Sequence, residues 1–481
     1  MSQYNPFLLL EFRAKISPNE IAFSDGVESL TFFSLHQLCL RVSKQLSLQN
    51  IAVGDRVILA LTPKLGFIFT LALFHRGCLS CSSHLNTKLP DTLEFDWLIT
   101  DRDAVLSEQR SVINIDQAWF ANLPELSLRE NSTPHDYGSS FCRMILTSGT
   151  TGVSKIVCLT PMQLNQRLNR NHMIWSCASG NEINLMGLAT IGGFMTMLYC
   201  MQVGRAVLLP TSNETFLRML REFYVVSLIA SPLQINNILD YKQSKQALFA
   251  GIREIRLAGS SISGVLVKRV HNLFSGKLYG VYGSTEVGGV GMIELAQPSD
   301  VINAAYVQPG VEVQIVDELD NSVDLGVEGN IRIKSAGMIH DYEDDAEASR
   351  QSFRDGWFYP GDRGKLQPQG LLSLTGRTAE IINLGGWKIN PDELDNVAET
   401  YTGLKDAVSF AIDLPNGTVG IAMAIVENTN INLDVFRDFL LESLDPKSTP
   451  TYFFRVNSIP RNGMGKKLRS RLNEELRNLI A

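Results

Sequence analysis

The sequence predicts an α/β protein. A large N-terminal part of β/α-layered sheets, with a small β-barrel-like portion at its end, is followed by a small α+β part. Three observations predict it. Short apolar runs alternate with helix-periodic stretches as far as residue 286, which implies parallel strands with helices on their faces. From Val311 the pattern turns to strict alternation (Val311, Val313, Ile315, then Ile331 and Ile333), the mark of antiparallel or barrel strands. Beyond Gly376-Arg377 a new strand–helix series begins. Residues 1–376 and 377–481 are therefore expected as two domains, in keeping with a 481-residue chain too long for one core.

The elements follow in order. Leu35, Leu38, Leu40, Val42 and Leu46 recur at helical spacing within 30–50. Val53-Gly54-Asp55 is a turn, Arg56 to Leu61 a buried strand and Phe67 to Phe74 a helix. Short strands are expected at Asp96 to Ile99, Ala104 to Leu106 and Ser111 to Ile115, and a polar loop over 121–140. A helix over Met162 to Met173 and a strand over Asn181 to Met186 come next. The run from Met186 is uncharged up to Arg205, close to membrane-spanning length. Its glycines, Thr190, Thr196 and Gln202 and the lack of flanking anchors favour a buried helix with a Gly-rich approach.

Strands at Arg205 to Leu209 and Val225 to Ile229, each closed by a proline segment, flank a helix over Phe216 to Glu222. Ile255 to Ala258 and Lys277 to Tyr282 are strands that run into small polar loops, the first followed by a helix through Phe274. In the antiparallel portion, turns are expected at Asp320-Asn321 and Glu328-Gly329, with a turn over Trp357 to Asp362 and a strand over Leu371 to Leu374. The C-terminal part reads as a strand at Ile381-Ile382, a Gly385-Gly386 loop and a capped helix after Asn390. Strands over Val408 to Ile412 and Val419 to Ile425, a helix over Leu433 to Leu444, a strand over Tyr452 to Val456 and a helix through Leu479 complete it.

Composition limits the function. Hydrophobic content of 44% and charged content of 19% are ordinary for a globular protein. A net charge of −7 carries no basic footprint for nucleic acid. No secretory signal is read at the start. Seven cysteines make no even framework, so a reducing, cytoplasmic setting is expected. His75, Cys78, Cys81 and His84 have the spacing of a zinc set. Gly77 and the serines at 80, 82 and 83 favour a core helix followed by a buried strand instead.

Three loops at strand ends share a small polar composition, which is where open α/β sheets bind ligands. The first is Thr147, Ser148, Gly149, Thr150, Thr151 and Gly152, with Lys155 beyond. Accessible N–H groups, hydroxyls and one lysine make a phosphate cradle by composition, although the spacing is not that of a P-loop. A Gly/Ser/Thr surface turn is the plainer alternative. The other two are Gly259-Ser260-Ser261 and Gly283-Ser284-Thr285-Glu286.

Five stretches in order resemble the adenylate-forming superfamily of acyl-CoA synthetases, peptide-synthetase adenylation domains and luciferases: LTSGTTGVSK at 146–155, YGSTE at 282–286, GWFYPGD at 356–362, GRTAEIINLGGWKINPDELD at 376–395 and PRNGMGK at 460–466. The resemblance spans essentially the whole chain. It implies ATP-dependent activation of a carboxylic acid to an acyl-adenylate, release of pyrophosphate and transfer to a thiol, with coenzyme A as acceptor. A carrier protein's phosphopantetheine arm is the alternative, and a non-catalytic nucleotide-binding homologue a third reading. It implies that Tyr282 stacks on adenine, Asp362 holds the ribose, Arg377 reaches ribose or phosphate oxygens and Thr285 contacts the α-phosphate. Glu286 is implied to carry Mg²⁺, and Lys466 to bridge carboxylate and α-phosphate from a mobile C-terminal domain. The 147–155 loop with Gly259, Ser260 and Gly283 is implied to complete the nucleotide site. Gly385, Gly386 and Trp387 would receive the thiol arm, with the pivot at Ala379. The acid pocket is implied at 187–195, 257–261 and 280–290, including Thr190, Gly192, Gly193, Val281 and Gly288. The gate before the pocket helix, Ala189-Thr190-Ile191-Gly192-Gly193, holds no acid to pair an ammonium, so an aliphatic or aromatic acid is expected rather than an α-amino acid.

Overall fold

The computed structural model describes residues 5–83, 93–102, 111–126, 133–147, 154–175, 179–241, 249–297, 303–384, 387–413, 419–462 and 465–476, with backbone alone at 387, 388 and 413. Two sheets form the large N-terminal part. The smaller has six strands in the order Ser111–Asn114, Trp97–Thr100, Arg56–Ala60, Leu79–Ser82, Arg143–Leu146 and Ile156–Leu159. All are parallel except the last, which returns antiparallel to Arg143–Leu146 and leads the 147–155 loop out and back.

The longer sheet begins with a parallel run through Ile21–Ser24, Val207–Leu208, Asn181–Asn184, Val225–Ala230, Glu254–Leu257 and Lys277–Ser284. It continues antiparallel through Gly288–Glu294, Ala304–Val307, Leu371–Arg377, Asp362–Leu366 and Gly329–Ser335. The alternating portion predicted from Val311 is thus antiparallel, and it is hydrogen-bonded onto the parallel sheet.

Helices begin where the sequence offers caps. Thr31 with Ser34, Thr160 with Gln163, Ser212 with Thr215 and Ser231 with Gln234 each form a reciprocal capping box. The helix Pro63–Arg76 is buried continuously from Gly66 to His75 and stops at Gly77, whose φ of +87° is the left-handed C-terminal conformation. Cys78 follows in a loop, and Cys81 lies within the buried strand Leu79–Ser82. Burial pushes the Cys81 thiol up to about 11, and His75 meets Ser43 Oγ at 2.8 Å. The helix-then-strand expectation for this segment therefore holds; His84 lies outside the described residues. The uncharged run after Met186 becomes the helix Ile191–Val203, buried from Gly193 to Met201. Among the described residues no helix is long and apolar enough to cross a membrane.

Several expectations need correction. The strand from Lys277 runs to Ser284, because it pairs with Gly288–Glu294. That pairing requires glycine: a Cβ on Gly283 would lie 2.5 Å from the Gly288 carbonyl oxygen. The turn expected at Glu328-Gly329 lies at Leu325-Gly326, where Gly326 has a φ of +84°; Gly329 is already in its strand. A helix Gln117–Ala121, capped by Asp116, precedes the region expected as loop, whose described residues 122–126 and 133–140 are without helix or strand. Ala104 to Leu106 lies outside the described residues.

The C-terminal part has a core of its own. It holds a hairpin (Ile382–Leu384 with Trp387–Ile389), three strands (Leu404–Asp413, Val419–Glu427, Tyr452–Arg455) and the helices Pro391–Ala398, Leu433–Ser443 and Arg469–Leu476. A buried ion cluster locks the terminal segment to it. Asp395 pairs with Lys467 and with Arg469, at 2.9 Å each. Lys467 also reaches Glu399 at 3.0 Å and the Ala407 carbonyl at 2.7 Å.

Candidate active site

Three strand ends meet at one place. Asp362 opens its strand directly opposite Arg377 in the antiparallel register. Arg377 Nε lies 3.1 Å from Asp362 Oδ1, and the Tyr282 hydroxyl donates to Oδ2 at 2.6 Å. Burial raises the Asp362 carboxyl above its usual range, against the pull of Arg377 and Tyr282. Burial works against the Arg377 charge too, but Asp362 and then Glu380 outweigh it and hold this guanidinium above its ordinary value.

The C-terminal part delivers Lys466 to this place. Its Nζ pairs with Glu380 Oε1 at 2.8 Å, and its charge is felt by Asp362. Burial and then Arg377 lower the lysine's pKa, partly offset by Glu380. Glu380 also meets Arg469 Nε at 3.3 Å, and Arg469 is buried among Asp395, Asp392 and the Ser409 carbonyl. Lys466 is thus held by a chain of charges within the C-terminal part. Contact with the core comes from Ser261, whose hydroxyl donates to Asp392 at 3.1 Å.

Thr285 and Glu286 form the turn after the Lys277–Ser284 strand. Arg167, on the helix Pro161–Ile174, fixes them from behind. Its guanidinium donates to the carbonyls of Gly337, Thr285 and Glu286 at 2.8, 2.9 and 2.7 Å. Burial, with Arg170 beside it, brings Arg167 down to about 9. The Glu286 side chain is 8% exposed, and Tyr342 donates its hydroxyl to Oε1 at 2.7 Å. Among the described residues no cluster of three or more His, Cys, Asp or Glu could hold a metal. A hard cation here would rest on the Glu286 carboxylate and on ligand oxygens, which is how magnesium accompanies phosphates.

The phosphate-type loop is described at its two ends. Thr147 N donates to the Lys155 carbonyl at 2.9 Å, and Lys155 N to Thr147 Oγ1 at 3.3 Å, so the loop is pinched at its base. Lys155 Nζ lies 4.6 Å from the centre of the Tyr342 ring. Ser148, Gly149, Thr150, Thr151 and Gly152 lie outside the described residues, as do Gly385 and Gly386. Trp387 is in a strand, and its side chain is not described. Gly259, with a φ of +96°, turns the chain at the end of Glu254–Leu257, and Ser260 follows it.

Of the residues expected in the acid pocket, two are explained by packing. A Cβ on Gly193 would sit 1.8 Å from the Gly187 carbonyl oxygen. Gly288 has a φ of +77° and turns toward the Arg170 guanidinium. Gly192 faces the flexible Met186 side chain, and Val281 lies in its strand opposite Met292. Thr190 caps the Ile191–Val203 helix by accepting from Gly193 N at 3.1 Å. Behind this wall the fully buried Arg143 donates to the Leu188 carbonyl at 2.7 Å and to Ser82 at 2.8 Å.

The geometry therefore gathers Tyr282, Asp362, Arg377 and Lys466 around one point, with Glu286 and Lys155 joined through Tyr342. Glu380, Tyr342 and Arg167 were not read from the sequence. Two of them left a trace there. Glu380 stands three residues after Arg377, and Arg167 shares the apolar face of Leu164 and Leu168 at helical spacing. Tyr342 sits in an acidic stretch with no motif around it.

Known proteins complete the description. The oxalate–CoA ligase of Arabidopsis thaliana is 25% identical over 95% of this chain and 96% of its own length. The 2-succinylbenzoate–CoA ligase of Bacillus cytotoxicus is 25% identical over 97% of each chain. The ATP-bound structure of MatB from Rhodopseudomonas palustris superposes with a TM-score of 0.86 at 18% identity, covering 99% of this chain and 100% of that one. At that identity the likeness speaks for the fold. The sequence model described as AMP-binding enzyme matches residues 10–343, about two thirds of the chain, and the protein belongs to that family.

Proposed function

We infer that the protein is an AMP-forming acid–thiol ligase. It joins a carboxylic acid to ATP, releases pyrophosphate and passes the acyl group to coenzyme A. One observation carries the reading: a lysine from the C-terminal part, Lys466, comes to the place where Asp362, Arg377 and Tyr282 meet. The curated relatives, named as CoA ligases over nearly their full length, support coenzyme A over a carrier protein as acceptor.

In the first step a carboxylate oxygen bonds to the α-phosphorus of ATP, and the bond to the bridging oxygen of pyrophosphate breaks. Two anions must meet, so fixed positive charge matters most. Lys466 and Arg377 supply it, and Thr285 adds a hydroxyl donor. Asp362 accepts from the ribose hydroxyls, while Tyr282 places the base. Lys155 and the 147–152 loop hold the departing phosphates. Bound to Glu286, Mg²⁺ would neutralise phosphate charge. In the second step the thiol sulfur bonds to the acyl carbon, AMP leaves with its oxygen, and the thiol proton passes to solvent. Residues 1–376 and 377–481 act as separate bodies that turn at Ala379 between the steps, bringing Gly385, Gly386 and Trp387 to the thiol arm. The stretch Ala189 to Gly193, placed beside the acid in this reading, has no acidic residue, which fits an aliphatic or aromatic acid.

The test is acid-dependent exchange of labelled pyrophosphate into ATP over a panel of acids, repeated with coenzyme A. Exchange plus thioester is the expected result. Exchange without thioester turns the reading to a carrier protein, and no exchange with any acid overturns it.

A further inference from the structure

Tyr342 stands between the two groups that the proposed function assigns to the phosphate end of ATP. Its hydroxyl donates to Glu286 Oε1 at 2.7 Å, and Lys155 Nζ lies 4.6 Å above the centre of its ring. A carboxylate only accepts, so the phenol is the donor. A cation over a ring face is drawn to its negative quadrupole. Tyr342 is 6% exposed and Glu286 8%, and burial followed by Glu286 raises the phenol's pKa well above its usual value.

The segment around the tyrosine is fastened on both sides. Toward the Glu286 turn, Ile339 N donates to the Glu286 carbonyl at 3.0 Å, and Arg167 holds the Gly337 carbonyl. Toward the phosphate-type loop, Glu343 N donates to the Ile156 carbonyl at 3.0 Å, and Arg56 pairs with the Glu343 carboxylate. Edge-on packing against Phe353, 5.3 Å between ring centres, fixes the ring. The Ser352 side chain also hydrogen-bonds the phenol, so the hydroxyl is held from a second side as well as by Glu286.

We propose that Tyr342 is a positioning residue that sets Glu286 and Lys155 at a fixed separation, so that metal and terminal phosphates are received together. The hydroxyl holds one carboxylate oxygen and leaves the other to the cation. The ring keeps the Lys155 ammonium beside the site until phosphate oxygens take it over. A tyrosine present only for packing would need its ring but not the bond to Glu286, and Tyr342→Phe separates the two roles.

The inference rests on the nucleotide site proposed above, and its test needs no acid. Binding of a non-hydrolysable ATP analogue is measured by calorimetry in EDTA and then with Mn²⁺, with the bound Mn²⁺ followed by electron paramagnetic resonance. In Tyr342→Phe the affinity in EDTA should stay within about two-fold, while the gain on adding Mn²⁺ falls roughly ten-fold, as expected for loss of one charge-assisted hydrogen bond. Tyr342→Leu, which removes the ring as well, should also lose preference for the triphosphate analogue over AMP. A wild-type Mn²⁺ gain in Tyr342→Phe overturns the proposal. So does an equal loss with and without metal, which would mark a structural role, and so does a wild-type protein that binds the analogue with no gain from Mn²⁺. Failure of the wild type to bind the analogue at all overturns the nucleotide site itself.

Discussion

In the proposed reaction Lys466 carries the heaviest chemical demand on the smallest support. Burial and Arg377 both lower its pKa, and Glu380 is the counter-charge that opposes them. The protonated lysine is the form that can attract two anions. Because its pKa in the free protein lies below the ordinary lysine value, kcat/KM for adenylation should decline on the alkaline side earlier than a solvated lysine would allow. Lys466→Arg should remove that alkaline limb, since arginine stays charged, and Glu380→Gln should move it to still lower pH. A limb unchanged in both variants would assign it to another group. Lys466→Ala should slow pyrophosphate exchange by roughly two orders of magnitude or more, while thioester formation from a supplied acyl-adenylate is spared. Lys155→Ala should raise the KM for ATP alike for every acid. A shift in acid preference in that variant would count against its place on the phosphates.

At the scale of elements, glycine shows what sequence could and could not reveal. Small residues at 147–152, 259–261 and 283–286 mark candidate ligand loops, since composition alone exposes backbone donors; of these, Gly283 and Ser284 prove to be strand. The role of Gly193 was not legible. The pattern marks it only as pocket lining, and the structure adds that a Cβ there would collide with the Gly187 carbonyl, a contact between residues folded back by the loop before the Ile191–Val203 helix. Gly193→Ala should therefore destabilise the protein by about 1–3 kcal/mol or more through overpacking, seen as a lower thermal midpoint. Gly192→Ala meets only the movable end of Met186 at 3.1 Å and should keep the wild-type midpoint. Equal midpoints would refute the packing account. The role of Arg167 was hidden for a related reason, although its place on the apolar helix face left a trace. Its partners are the carbonyls of Gly337, Thr285 and Glu286, and a carbonyl leaves no signature in a side-chain pattern.

At the scale of the molecule, the alternation of strands and helices and the change of period at Val311 were enough to outline the layers. They did not show that the antiparallel strands extend the parallel sheet, because pairing between distant strands is set by edges that no local pattern records. Tyr342 escaped for the same reason: its partners Lys155 and Glu286 lie far away along the chain. Beside that residue the six-stranded sheet is tied to the segment that follows the Gly329–Ser335 strand of the long sheet, where Ile156 and Glu343 form an isolated antiparallel bridge. Asp362, Tyr282 and Glu286 belong to the long sheet and its turns, whereas Lys155 leads into the edge strand of the six-stranded sheet. A nucleotide held by all four would span that junction like a rivet through two plates. An ATP analogue at about a hundred times its Kd should add about 2.7 kcal/mol to stability, with amide-exchange protection rising in both 156–159 and 279–284. Adenosine, too short to cross, should protect the long sheet alone, so the triphosphate would serve as a temporary structural member of the protein as well as its fuel.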